Sequence, residues 1–179
     1  YYHTMRNIIK SLFFVSALLL SACCPQKTPG VYNVLDYGAV GDGVTDDAVA
    51  IQKAIDECTD NGGGQVIFPS GKTFLSGPVE LKSNVDYHLE INSVWRANPD
   101  ESIYHLSAFK ENEGEGMMWI WTKDTKNISI TGQGTIDGNG IAFMGAELHD
   151  SYELKELADP GFDPRPHVLT LIGVEKLQI

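Results

Sequence analysis

Apolar residues follow two different rhythms along this chain. Between positions 45 and 60 they recur at helical spacing, with Ala48, Ile51, Ala54, Ile55 and Cys58 on one stripe. Thr45-Asp46-Asp47 stands before the stripe, a hydroxyl able to cap a helix and two acids suited to the positive end of its dipole. Asn61-Gly62-Gly63-Gly64 stops it. The pattern predicts one amphipathic helix over Asp46 to Cys58, entered through a turn-rich lead-in from Asp36 to Val44. No other stretch is as clearly helical, though Ala146 to Leu157 could hold a short helix.

After the glycines the rhythm becomes that of short strands. Val66-Ile67-Phe68, Thr73-Phe74-Leu75, Val79-Glu80-Leu81, Tyr87 to Ile91 and Ser93-Val94-Trp95 alternate in the main, punctuated by Pro69, Gly71, Gly77, Pro78 and Asn84. Ile128-Ser129-Ile130, Thr135-Ile136, Val168 to Ile172 and Leu177 to Ile179 continue the series. Three of these segments echo one another, each a polar turn followed by alternating apolar residues. Their Val85, Ile128 and Leu177 are spaced by 43 and 49 residues. Repeats of short strands with variable insertions predict a solenoid of stacked β-coils. On periodicity alone a β-sandwich stays open.

Composition narrows the field. The 179 residues are 42% hydrophobic, enough for one ordinary core, and 18 glycines with 8 prolines favour turns over long helices. A net charge of −11 is the wrong sign for neutralising phosphates, so nucleic acid is not an expected partner.

The first residues read as an address. Arg6 and Lys10 flank the start of an apolar stretch from Leu12 to Leu20, followed by Ser21-Ala22-Cys23. That stretch is too short for a permanent span of ~30 Å of hydrocarbon. Leu20-Ser21-Ala22-Cys23 resembles the lipobox of bacterial lipoproteins, which implies cleavage before Cys23, lipidation of its thiol, and a membrane-anchored place in the cell envelope. The expected division is a leader over 1–22, in which Tyr1 to Thr4 precede the start, a short linker over 23–30 and one domain over 31–179. Cys24 and Cys58 could pair in an oxidising compartment, but a buried thiol on the helix is the expected state of Cys58.

Three segments carry a family resemblance. They are Tyr37 to Asp47 with the helix through Ile55, Gly62 to Gly71 with its continuation to Val85, and Asn127 to Gly140 with its Gly132-Gln133-Gly134-Thr135-Ile136-Asp137-Gly138 core. Together with Arg165-Pro166 they resemble the N-terminal part of glycoside hydrolase family 28, the polygalacturonases, within the pectate-lyase-like superfamily. The resemblance covers about residues 31 to 179. It implies an all-β fold, a right-handed parallel β-helix of N-terminal coils only, with an N-terminal capping α-helix. It also implies a secreted, pectin-degrading hydrolase that is monomeric when intact and acts on galacturonan without a cofactor.

An inverting glycosidase needs an acid and a base roughly 6.5–9.5 Å apart. The family draws them from Asn-Thr-Asp and Asp-Asp motifs, completed by Gly-His-Gly and Arg-Ile-Lys. None of these stands in its family position here, and the only Asp-Asp pair is Asp46-Asp47 on the capping helix. No catalytic residue is therefore assigned. The chain reads as a fragment cut before its catalytic coils, inactive on polygalacturonate and prone to fray or aggregate through the coil left uncapped at Ile179. Two other classes stay open, a non-catalytic carbohydrate-binding or tailspike-like module and a superfamily lyase or epimerase.

The remaining candidates have structural explanations. Helix capping accounts for Asp46 and Asp47, and a turn between glycines accounts for Asp137. Trp119 and Trp121 are expected in packing before sugar stacking. His88, His105, His149 and His167 lack metal-ligand spacing, and no oxygen cluster suited to calcium is visible, so no metal is expected. Asn127-Ile128-Ser129 is a glycosylation acceptor only in a eukaryotic secretory route.

Overall fold

The computed structural model describes residues 30–107, 117–147, 152–154 and 165–179. The leader, Cys23, Cys24 and His149 lie outside the described residues. The chain winds as a right-handed parallel β-helix. Its first coil runs through β1 (Gly30–Asn33), β2 (Asp42–Asp46) and α1 (Ala48–Asp60), and the second through β3 (Gly64–Phe68), β4 (Thr73–Ser76) and β5 (Val79–Glu80). The third holds β6 (Val85–Leu89), β7 (Val94–Ala97) and β8 (Met118–Lys123). The fourth holds β9 (Lys126–Gly132), β10 (Thr135–Asp137), an excursion with β11 (Met144–Glu147) and β12 (Tyr152–Leu154), and then β13 (His167–Ile172), after which β14 (Glu175–Gln178) begins another turn.

Stacking these coils makes three parallel sheets. Sheet A is ordered β1-β3-β6-β9-β14, sheet B β2-β4-β7-β10, and sheet C β5-β8-β13. Parallel sheets buried on both faces read as continuous apolar runs, whereas a coil has one inner and one outer face. That is why these strands alternate. Val85, Tyr87 and Leu89 point inward and are buried, while Asp86 and His88 between them are half-buried on the outside. The echo in the sequence is the register of the ladder. Asp86 pairs with Ser129, which sets Val85 beside Ile128, and Leu177 pairs with Ile128.

The turn before sheet A repeats as well. Asn84, Asn127 and Lys176 occupy equivalent places and all adopt the left-handed conformation, with φ of 65°, 55° and 61°. Asparagine tolerates that region because its short amide can hydrogen-bond locally. Here Asn127 Nδ2 also donates to Asn84 Oδ1 at 2.7 Å.

The core is an aromatic column. Phe68 meets Phe74 edge-on at 5.5 Å and stacks on Trp95 at 4.6 Å, and Trp95 meets Trp119 edge-on at 5.9 Å. Both indole N–H groups donate to the buried Ser76 Oγ, at 2.8 Å from Trp95 and 3.1 Å from Trp119. One hydroxyl thus satisfies two buried donors.

Helix α1 fills the third side of the first coil, where a strand of sheet C would stand. Ile51, Ala54, Ile55 and Cys58 are fully buried against the core. Cys58 carries a free thiol that burial pushes up to about 11. Gln52 completes the edge of β5, accepting from Glu80 N at 2.9 Å and donating to Glu80 O at 3.2 Å.

Four local expectations are corrected. The span Ala146 to Leu157 is not a helix where it is described, because β11 and β12 pair antiparallel there. The lead-in contains β2, a strand of Gly and polar residues held by parallel pairing with β4 and not by its own propensity. The run Met118–Lys123 is a strand that the sequence pattern did not separate. Of the three capping candidates only Asp46, one residue before the N-cap, serves the helix start, its Oδ1 accepting from Ala48 N at 2.8 Å. The Thr45 hydroxyl instead donates to Asp42 Oδ2 at 2.9 Å, and Asp47 makes no cap hydrogen bond.

Candidate functional site

The connections between sheets are unequal, and their lengths locate the candidate site. Turns from sheet A to B and from sheet C to A are short, as is the passage from sheet B to C in the second coil, whereas the sheet B to C passages of the third and fourth coils span 98–117 and 138–166. Long connections carried by a rigid scaffold are where binding groups concentrate. The described parts of the two passages meet, since Tyr104 contacts Phe143 edge-on at 6.0 Å. Both rings are buried, and Tyr104 Oη donates to Asn98 O at 2.7 Å. The two passages are thus joined through buried rings, and the first of them is tied to sheet B where Asn98 meets Asp46.

Across the outward face of sheet B runs one row in register, Asp46, Leu75, Arg96 and Asp137. Asp46 is a tie across three coils. Besides serving the start of α1 it accepts from Gly77 N at 3.0 Å and from Asn98 Nδ2 at 2.6 Å. Asp137 is tied too, with Oδ2 accepting from Arg96 Nε at 2.8 Å and Oδ1 from Asn139 N at 2.8 Å. The turn role expected for Asp137 is present, and an ion pair is added to it.

The glycine-rich lead-in is folded by two further aspartates. Asp42 accepts from Val44 N and Thr45 N, and these backbone donors lower its pKa. Asp47 is only 2% exposed and accepts from Val40 N at 2.7 Å and Gly41 N at 3.0 Å. Desolvation raises its pKa even against those two hydrogen bonds. The carboxylates of Asp42, Asp46, Asp47 and Asp137 thus serve as acceptors for nearby donors. They shape the face and present no acid and base across an open gap.

A second polar cluster lies on the outward face of sheet A. Asp86 accepts from Gln65 Nε2 at 2.7 Å, Ser129 Oγ at 2.8 Å and Thr131 Oγ1 at 2.9 Å. His88 Nδ1 lies 2.8 Å from Thr131 Oγ1. The single hydroxyl proton of Thr131 goes to Asp86, so His88 donates to the Thr131 hydroxyl through Nδ1. A shallow groove beside it is lined by Gly63, Gln65, Asn84, Asp86, Asn127 and Ser129. Asp86 is saturated by its neighbours, which makes this cluster a strut between coils.

The other sequence candidates disperse. Trp119 is in the core, while Trp121 is half-buried on sheet C beside Glu80. His105 and His167 are exposed and lie on separate segments. Among the described residues no group of three or more His, Cys, Asp or Glu could hold a metal ion, and no helix is long and apolar enough to cross a membrane. Arg96 was not singled out from the sequence, because its partner lies 41 residues further on. The only signal was a cation at a strand position whose neighbours Trp95 and Ala97 point inward.

Comparison with known proteins agrees with this architecture. Residues 31–88 match a family model described as rhamnogalacturonase A/epimerase, pectate lyase-like. Mannuronan C5-epimerase AlgE1 of Azotobacter vinelandii is 32% identical over 160 residues, 78% of this chain and 11% of the epimerase. Plasmin and fibronectin-binding protein A of Streptococcus pneumoniae is 41% identical over 115 residues, 60% of this chain and 15% of that protein. The crystal structure of a hyperthermoactive exopolygalacturonase from Thermotoga maritima superposes with a TM-score of 0.54 at 35% identity, covering 65% of this chain and 26% of the enzyme. The chain spans well under two thirds of each of these relatives.

Proposed function

We propose that this chain, which carries a pectate-lyase-like domain, is the N-terminal part of an exported polysaccharide hydrolase of the polygalacturonase type. The observation that supports this most is the outward face of sheet B, where Asp46, Arg96 and Asp137 stand in one register row and are fixed by hydrogen bonds. A linear polymer laid across successive coils meets there a row of fixed polar groups. The 35% identity to an exopolygalacturonase supports the choice of substrate class. Hydrolysis in this reading follows the inverting acid/base route. Its two carboxylates are assigned to other coils of the protein, since the family motifs that supply them do not stand in their positions in this chain. The full protein is monomeric in this reading, reaches the cell envelope through its leader, and is held there by lipid on Cys23.

Incubating the full-length protein with polygalacturonate tests the reaction class. New reducing ends without unsaturated products support hydrolysis. Ultraviolet-absorbing unsaturated ends would make it a lyase, and inversion at C5 without chain cleavage an epimerase. Loss of fatty-acid labelling and of membrane association in Cys23→Ser tests the anchor.

A second reading is a non-catalytic surface-binding module, favoured by the 41% identity to a plasmin and fibronectin-binding protein. It expects tight binding of a polymer or a protein with no change in chain length or sugar configuration.

A further inference from the structure

We infer that Arg96 is the carboxylate-reading residue of a uronate subsite on the outward face of sheet B, with Asp137 as the residue that positions it. The inference rests on the polysaccharide reading above and assigns the recognition of its acidic groups to one side chain. Strand alternation fixes the direction. Trp95 and Ala97 are fully buried, so Arg96 between them points outward. A guanidinium has five N–H donors in a planar fork. Asp137 takes only Nε, at 2.8 Å. The two terminal nitrogens remain, in the geometry that a carboxylate engages with both oxygens.

The orientation is locked by a closed circuit. Arg96 donates to Asp137, Asp137 accepts from Asn139 N, and Asn139 Nδ2 donates at 3.0 Å to Ala97 O, the neighbour of Arg96 on β7. The side chains of Arg96 and Asp137 are 39% and 35% exposed, where an ion pair contributes at most about 1 kcal/mol. The consequence of the pair is therefore direction more than stability.

The test compares binding of two oligomers of equal length, oligogalacturonate and its carboxyl-reduced neutral counterpart, by calorimetry on the full chain. The protein is expected to prefer the acidic oligomer. Arg96→Gln should weaken acidic binding about tenfold or more and leave neutral binding unchanged. Asp137→Asn keeps the cation but releases it, so the acid-to-neutral ratio should fall by a smaller factor. Arg96→Lys retains the charge without the fork and serves as the second probe should Arg96→Gln fail to fold. An unchanged acid-to-neutral ratio in Arg96→Gln or Arg96→Lys overturns the inference while the polysaccharide reading stands. Failure of the unsubstituted protein to bind either oligomer overturns both.

Discussion

The side-chain amide of Gln52 grips both backbone polar groups of Glu80, accepting from its N–H at 2.9 Å and donating to its C=O at 3.2 Å. This is the pairing that a neighbouring strand would give, delivered by a helix. A β-helix must end somewhere, and an open sheet edge recruits other chains. At β5 the helix covers both the apolar interior and the edge with one turn of side chains.

Gln52→Ala should therefore destabilise the protein by about 1–2 kcal/mol, the loss of two half-buried hydrogen bonds. Chemical denaturation measures this directly. Gln52→Leu, which keeps the bulk and removes the amide, should cost nearly as much. Full stability in Gln52→Leu would show that bulk, and not pairing, closes the edge.

The asparagine turn makes a prediction of opposite sign. Lys176 holds φ of 61° without the local hydrogen bonding open to Asn84 and Asn127. Lys176→Asn should stabilise by up to about 1 kcal/mol, since a non-glycine residue in this region costs about 1–2 kcal/mol. Asn127→Ala should destabilise, losing both the amide contact to Asn84 and conformational tolerance. Midpoints of urea unfolding report both.

Ser76→Ala should be costly for a single oxygen atom. It leaves the indole N–H groups of Trp95 and Trp119 buried without an acceptor, at about 1–3 kcal/mol each when fully unpaired. A loss of about 2–4 kcal/mol in thermal or chemical unfolding is expected. Ser76→Thr, which retains the hydroxyl, should recover part of it.

Asp47 gives a pH dependence with a definite direction. Its pKa is raised in the folded chain, so the folded state binds the proton more tightly than the unfolded one. Its contribution is largest below the unfolded carboxylate pKa and is lost as pH rises through the folded value. Asp42 works the other way. Its lowered pKa contributes stability above the unfolded value, lost as pH falls through the folded one. Replacing Asp47 by Asn should thus steepen the loss of stability on acidification, and replacing Asp42 by Asn should flatten it. Unfolding midpoints across the carboxylate range check the two slopes.

What the sequence disclosed depends on how local each interaction is. The stripe of α1 and the strand spacing of Val85, Ile128 and Leu177 are written into short windows, and the structure turns them into a lid and a ladder register. Strand β2 was opaque because Asp42-Gly43-Val44-Thr45-Asp46 has the composition of a turn, and what extends it is a partner 31 residues on at Thr73. Asp47 looked like a cap because acids commonly are one there. Its acceptors are used instead by Val40 and Gly41, in a loop whose path no periodicity describes. The face of sheet B was invisible for the same reason, since the four residues of its row come from four strands.

Both the polysaccharide-binding role and the uronate subsite depend on where a polymer lies on the coils. Amide hydrogen exchange of the full chain with and without saturating oligogalacturonate measures this residue by residue. Protection confined to the row on sheet B, around residues 73–77, 94–98 and 135–139, is the predicted result. Protection on the sheet A groove around Gln65, Asn84 and Asp86, or no protection at all, would contradict it.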